Sequence, residues 1–97
     1  MKQTVEYSTF FYNDLTVATD YISRFSASAS ARLIDALRDR IEKVKDMPKM
    51  YAVYPFAPEY RHIVIDKYVI IYRLYEDENK IYMYRLLHGS QNITDYL

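Results

Sequence analysis

The sequence predicts an α+β fold in the order β-α-α-β-β-β, with a helical hairpin packed on one face of a small, mostly antiparallel sheet. Three observations carry that prediction. Apolar residues recur at helical spacing twice in the first half, at Leu15, Ala18, Ile22 and Phe25 and again at Ile34, Leu37, Ile41 and Val44. The second half changes to runs rich in valine, isoleucine and tyrosine, separated by short polar stretches. Only the serine-rich "SASASA" (26–31) divides the two helical patterns, which makes them antiparallel neighbours.

Taken in order, "QTVEYSTFF" (3–11) reads as a first strand, and Asn13 is placed to cap a helix over 13–26, with Tyr21 beside its apolar stripe. Ser28 or Ser30 then caps a second helix over 29–47. Leu33 widens its apolar stripe, and Asp35, Arg38, Asp39, Glu42, Lys43 and Lys45 form its polar face. Pro48 forbids continuation. The segments 60–66, 67–75 and 80–88 read as three strands, with Asp66-Lys67 the tight point between the first two and "EDEN" (76–79) the turn between the last two. "VIIY" within the middle strand is nearly continuous apolar sequence, as a central strand requires. Leu15, Ile22, Phe25, Leu37, Ile41, Val44, Ile70 and Tyr72 are expected between helices and sheet, leaving the other sheet face partly open.

A chain of 97 residues fits one domain, residues 1–97, with a single core. Thirteen Lys+Arg balance thirteen Asp+Glu, so a phosphate-driven role would have to rest on a local patch, and no sequence-specific DNA binding is expected. There is no cysteine, which excludes disulfides and thiolate metal sites and suits a reducing cytoplasm. No stretch has the pattern of a signal peptide or the length of a membrane span. The twelve tyrosines fit strand propensity first, and a contact surface, in which each ring offers apolar area with a polar tip, second.

The residues available for chemistry are few. His62, Asp66, Arg85 and His88 are polar positions in or against apolar strands. Two histidines without cysteine make a zinc site improbable, and neither a nucleophile elbow nor a glycine-rich phosphate loop is present, so no metal or cofactor is expected. Arg61, Arg73 and Arg85 each fall in a strand, where a guanidinium must reach water or pair. On an open face they would suit phosphate or a partner's carboxylates. Gly89, the only glycine, follows the last strand, where positive φ would let the chain turn sharply and set His88 and Gln91 at the end of the sheet.

The element order, with "YRHIVIDKYVIIYRL" and "IYMYRLLHGSQNI", resembles the RelE/ParE superfamily of toxins from type II toxin–antitoxin systems, and most of all its ParE, or plasmid-stabilisation, branch. The matching positions are Tyr60, Arg61, His62, Ile63, Tyr68 and Tyr72, then Arg85, His88 and Gly89. Two positions depart from the pattern. That branch has Arg-Asp where this chain has Gln91-Asn92, which exchanges an ion pair for neutral hydrogen bonding. RelE-like ribosome-dependent RNases carry arginine where this chain has Val69, so a cation that would offset charge on the scissile phosphate is missing.

The resemblance implies a toxin that inhibits growth by binding a cellular target, for the ParE branch DNA gyrase; Val69 and the zero net charge favour this non-nucleolytic, cytoplasmic reading over an enzyme. It also implies a cognate antitoxin whose disordered segment covers the open sheet face. The target-binding residues expected on that reading are Arg61, Arg73, Arg85, His88 and Gln91. The alternatives are a ribosome-dependent mRNA endonuclease, with Arg85, His88 and His62 as catalytic candidates and Lys67 nearby, and a degenerate module that binds its antitoxin without toxicity.

Overall fold

The computed structural model describes residues 3–97. Its elements are β1 (Thr4–Tyr7), α1 (Thr9–Ser23), α2 (Ala27–Asp46), β2 (Arg61–Ile65), β3 (Tyr68–Tyr75) and β4 (Lys80–His88), with short 3₁₀ turns at Glu76–Glu78 and Ile93–Tyr96. They form two helices on a four-stranded mixed sheet of order β1-β4-β3-β2. β1 runs parallel to β4, and the other pairs are antiparallel. The α+β prediction and its element order hold.

The boundaries at the first two turns differ from the sequence reading, and one cause accounts for both. Serine stops a strand or starts a helix wherever its hydroxyl finds a free amide. Ser8 is buried and caps α1, accepting from the Phe11 amide at 2.9 Å. Residues 8–11 therefore do not extend the strand, and Asn13 lies inside the helix rather than at its start. Ser26 caps α2 through the Ala29 amide at 3.1 Å, in place of Ser28 or Ser30, and Ser30 instead donates to the Thr19 carbonyl of α1. Because α1 ends at Ser23, Phe25 falls in the turn and is 76% exposed, not between helix and sheet as its spacing predicts.

The remaining expected interface residues pack as predicted. Leu37, Val44, Ile70 and Tyr72 are buried in the core between helices and sheet, and Leu15, Ile22 and Ile41 are half-buried against it. Phe11 and Ala18 of α1, Leu33 of α2, Ile63 and Ile65 of β2, and Ile81, Met83 and Leu86 of β4 complete that core. Tyr72 satisfies its buried hydroxyl by donating to the Pro48 carbonyl at 2.9 Å.

A second, smaller cluster lies on the opposite sheet face. Val69, Ile71 and Leu87 are covered there by Ile93 from the C-terminal turn, with Tyr54, Tyr60, Tyr84 and Leu97 against them. The C-terminal segment thus seals one half of this face.

Gly89 does not have the predicted positive φ. The left-handed residues are Asp66, in the β2–β3 turn, and Asn79, after the 3₁₀ turn that occupies "EDEN". Gly89 serves a close approach instead. Its amide donates to the Lys67 carbonyl at 2.7 Å, and a Cβ there would stand 3.3 Å from the same oxygen. The missing side chain lets the end of β4 seat against the β2–β3 turn.

Candidate functional site

The open sheet face and the far end of β4 contain most of the residues singled out from sequence, and they hold them in very different ways. β4 is irregular opposite the Ile71/Tyr72 step of β3, where Tyr84 is the extra residue. Ser8 fixes this bulge: its amide donates to the Met83 carbonyl at 3.0 Å and its hydroxyl to the Tyr84 carbonyl. Beyond Tyr7, β1 gives way to α1, so the rest of β4 lies along an edge with no strand beside it.

Arg85 sits just past the bulge. Its guanidinium grips Asp14 of α1 through two hydrogen bonds, Nε to Oδ2 at 2.7 Å and Nη2 to Oδ1 at 2.8 Å. Asp14 Oδ2 also accepts the Leu86 amide at 3.0 Å. The Arg85 and Asp14 side chains are only 13% and 10% exposed, and the guanidinium lies between the rings of Phe10 and Tyr96, 5.2 Å and 5.0 Å from their centroids. Donating to the Asp14 carboxylate raises the Arg85 pKa above its ordinary value. Such a fork-to-carboxylate pair ties α1 to β4 and leaves this guanidinium with few donors to spare.

Arg61 is likewise engaged, donating to the Tyr51 carbonyl at 2.7 Å and so holding the segment before β2. Arg73 differs from both. It shares the open face with Tyr75 and stacks over that ring at 5.1 Å. Among the described residues no carboxylate lies within ion-pair distance of it.

Around Arg73 the face is tyrosine. Tyr60 and Tyr84 stack with centroids 5.5 Å apart and planes 15° from parallel. Tyr82 continues the row at 6.2 Å from Tyr84. Phe10 meets Tyr84 edge-on at 5.9 Å, and Lys80 stands 5.0 Å from the Tyr75 ring. Burial, followed by the charge of neighbouring Tyr84, pushes the Tyr60 phenol up, and Arg73 offsets part of that. Tyr75, Tyr82 and Tyr84 were not singled out from sequence. The alternation in "YRLY" and "YMYR" carries the signal, because residues two apart share a sheet face.

The two histidines are not brought together. His62 lies on the same face as Ile71, with its Nδ1 3.1 Å from the Ala52 carbonyl and its ring edge-on to Tyr54. His88 is on the helix side, edge-on to Tyr68 at 5.3 Å. Its Nδ1 accepts the Ser90 amide at 3.1 Å and lies 2.7 Å from the Ser90 hydroxyl. Gln91 Oε1 accepts the His88 amide at 2.7 Å, and Asn92 Oδ1 accepts from the Thr94 hydroxyl. Neutral hydrogen bonds thus occupy the Gln91-Asn92 positions. Val69 is 8% exposed, beneath the C-terminal turn. Asp66 and Lys67 form the exposed β2–β3 turn. Among the described residues no group of three His, Cys, Asp or Glu side chains is arranged to hold a metal ion, and no helix is long and apolar enough to cross a membrane.

Comparison with known proteins follows the same lines. In solved structures the fold is similar to the chromosomal ParDE toxin–antitoxin system from P. aeruginosa, with a TM-score of 0.72 at 12% identity over 90% of this chain and 96% of that one. It is also similar to the RelBE2 toxin–antitoxin complex from Mycobacterium tuberculosis, with a TM-score of 0.59 at 14% identity over 91% and 99% of the two chains. No curated protein matches by sequence. The family model describing the ParE toxin of the type II toxin–antitoxin system parDE matches residues 5–93, and the chain belongs to that family.

Proposed function

We propose that this chain is a cytoplasmic toxin that inhibits growth by binding a protein target, DNA gyrase, and that a cognate antitoxin neutralises it by covering the open sheet face. The observation that carries the binding mode is the surroundings of Val69. The position where RNase relatives present arginine is an apolar residue sealed under the C-terminal turn with Ile71, Leu87 and Ile93. Val69 itself supplies no cation to offset charge on a scissile phosphate. His62 and His88 lie on opposite sides of the sheet and do not pair as general acid and base.

The open half of the face has the composition of a protein-binding surface. Tyrosine and arginine dominate the energetics of such surfaces, and here Tyr60, Tyr75, Tyr82 and Tyr84 surround an arginine that no carboxylate among the described residues pairs with. Arg73 is therefore the residue assigned to target contact. Arg61, Arg85, His88 and Gln91, also expected there from sequence, act in this reading by holding the local backbone. An antitoxin partner is supported by the two solved relatives, both described as toxin–antitoxin systems.

The test is induction of the chain in a bacterial host, with supercoiling by purified gyrase measured in parallel. Filamentation, a DNA-damage response and inhibited supercoiling are expected. Prompt arrest of protein synthesis with mRNA cut in the ribosomal A site would overturn the reading in favour of the endonuclease.

A further inference from the structure

The open half of the sheet face presents one unpaired guanidinium and four phenols inside an acidic rim. Tyr72, on the helix side, spends its hydroxyl on the Pro48 carbonyl. The hydroxyls of Tyr60, Tyr75, Tyr82 and Tyr84 have no such partner among the described residues. Arg73 lies over the Tyr75 ring at 5.1 Å and close enough to the Tyr60 phenol to oppose the rise in its pKa. That rise keeps Tyr60 protonated at neutral pH, so it too is a donor.

The rim is built by the neighbouring strand and turns. Tyr82 pairs with Glu6 of β1 on one side and with Arg73 of β3 on the other. Val5 and Tyr7 pack into the helix-side core, so Glu6 between them faces the open side. Glu6 and Glu78 lie 3.7 and 3.9 Å from Lys80 Nζ, which takes up the second cation of this face. Glu76 pairs with Lys49 at 2.8 Å, and Asp77 is exposed in the same turn. Glu59, exposed at the other end, adds to the rise of the Tyr60 phenol.

We infer that Arg73 receives a single carboxylate side chain of a partner protein, one Asp or Glu in a segment otherwise apolar or basic. The guanidinium fork matches a carboxylate, and the Tyr60 hydroxyl supplies a further hydrogen bond beside it. The Tyr75 and Tyr82 rings take apolar neighbours of that acid. The rim sets the limit to one. Along a nucleic-acid strand charges recur about every 3.4 Å, so phosphates beside the one at Arg73 would meet Glu6, Glu59 or the Glu76–Glu78 turn. An acidic run in a protein meets the same repulsion, whereas lysine or arginine next to the bound acid is attracted. The inference rests on the proposed function for the partner's identity as the growth-inhibition target. The chemistry of the patch is argued from this chain alone.

The test selects dodecapeptides on the full chain from a displayed random library and titrates them against variants. The selected sequences are expected to share one acidic residue beside an apolar one, with lysine or arginine nearby. Changing that acid to its amide should weaken binding at least about 10-fold, as should Arg73→Gln, and both changes together should cost little more than either. Arg73→Lys, which keeps the charge but not the fork, should recover only part. Glu6→Gln should strengthen a two-acid version of the peptide at least about 3-fold relative to the one-acid version, because it removes a rim charge. Failure to select any peptide, selection of acidic runs or of sequences without an acid, or binding that ignores Arg73→Gln would each overturn the inference. Tighter binding of a single-stranded oligothymidylate than of the peptides would overturn it in favour of nucleic acid. Gyrase left uninhibited by the chain, with the peptide results as expected, would tell against the proposed function alone. Gyrase inhibited equally by the chain and by its Arg73→Gln variant would overturn this inference and leave gyrase as the target.

Discussion

Arg85 and Arg73 lie on neighbouring strands and meet opposite environments. Arg85 has a carboxylate, two aromatic faces and a nearly buried position. Arg73 has one tyrosine ring and, among the described residues, no carboxylate within ion-pair distance. The difference comes from what covers the sheet. α1 crosses the edge of β4 just where β1 stops, bringing Asp14 to Arg85. Nothing among the described residues crosses the sheet at Arg73 to pair with it. A strand arginine is thus a fastener where a second layer reaches it and an available cation where none does.

That comparison is most sharply tested from the covered side. Leu37→Ala removes a buried side chain from the helix–sheet core and should cost about 2–5 kcal/mol in urea unfolding; a change near zero would mean the helices do not seal that face. Asp14→Ala strands a largely buried guanidinium and the Leu86 amide together, and about 3 kcal/mol of stability should be lost. If Arg85→Met added to Asp14→Ala recovers much of that loss, the penalty is the unpaired charge; if it recovers none, the hydrogen bond to β4 dominates.

Alkaline pH separates the two faces more gently. Burial pushes the Tyr72 phenol up to about 12, with Arg61 opposing and Tyr51 adding a smaller rise. An unfolded tyrosine ionises near pH 10, whereas the folded one must stay protonated. The stabilisation is therefore complete below about pH 10 and falls as pH rises toward 12, by on the order of 2–3 kcal/mol. Tyr72→Phe, which has no phenol to titrate, should flatten that part of the unfolding-versus-pH curve. Tyr7, Tyr60 and Tyr68 are shifted in the same direction and leave a residual slope.

The smallest stability effect belongs to the uncovered side. Arg73→Ala should alter the unfolding free energy by less than about 0.5 kcal/mol, as expected of a surface substitution without an ion pair. It is also expected to abolish growth inhibition. A mutant that stays fully inhibitory would move the target-binding surface away from the tyrosine face, and one that unfolds would show that Arg73 and Arg85 are alike after all.

Much of this was legible along the chain. The change from helical spacing to strand composition marks the α-to-β switch, and 80–88 is the strand its residues predict. The serine caps were legible in kind but not in place, because Ser26, Ser28 and Ser30 are chemically the same and only a free amide at the right distance selects one. Phe25 was misplaced for the same reason: helical spacing continues through it, but the helix does not. The candidate site was legible only as residue types. Arg61, Arg73 and Arg85 read alike in sequence, and Asp14 and Ser8 gave no local sign that they would close the edge and bulge of β4 from more than 70 residues away.

By itself, then, the sequence determined what depends on near neighbours: which segments are helix or strand, the absence of thiol chemistry, and the family pattern around Arg85, His88 and Gly89. Only the tertiary structure decided which polar groups remain available. It paired Arg85 and left Arg73 open, sealed Val69 beneath Ile93, set the two histidines on opposite sides of the sheet, and used Gly89 for a close contact instead of a left-handed turn. Secondary structure follows from short-range sterics and periodicity. Availability depends on whether a distant element brings a partner within hydrogen-bonding reach, and packing alone settles that.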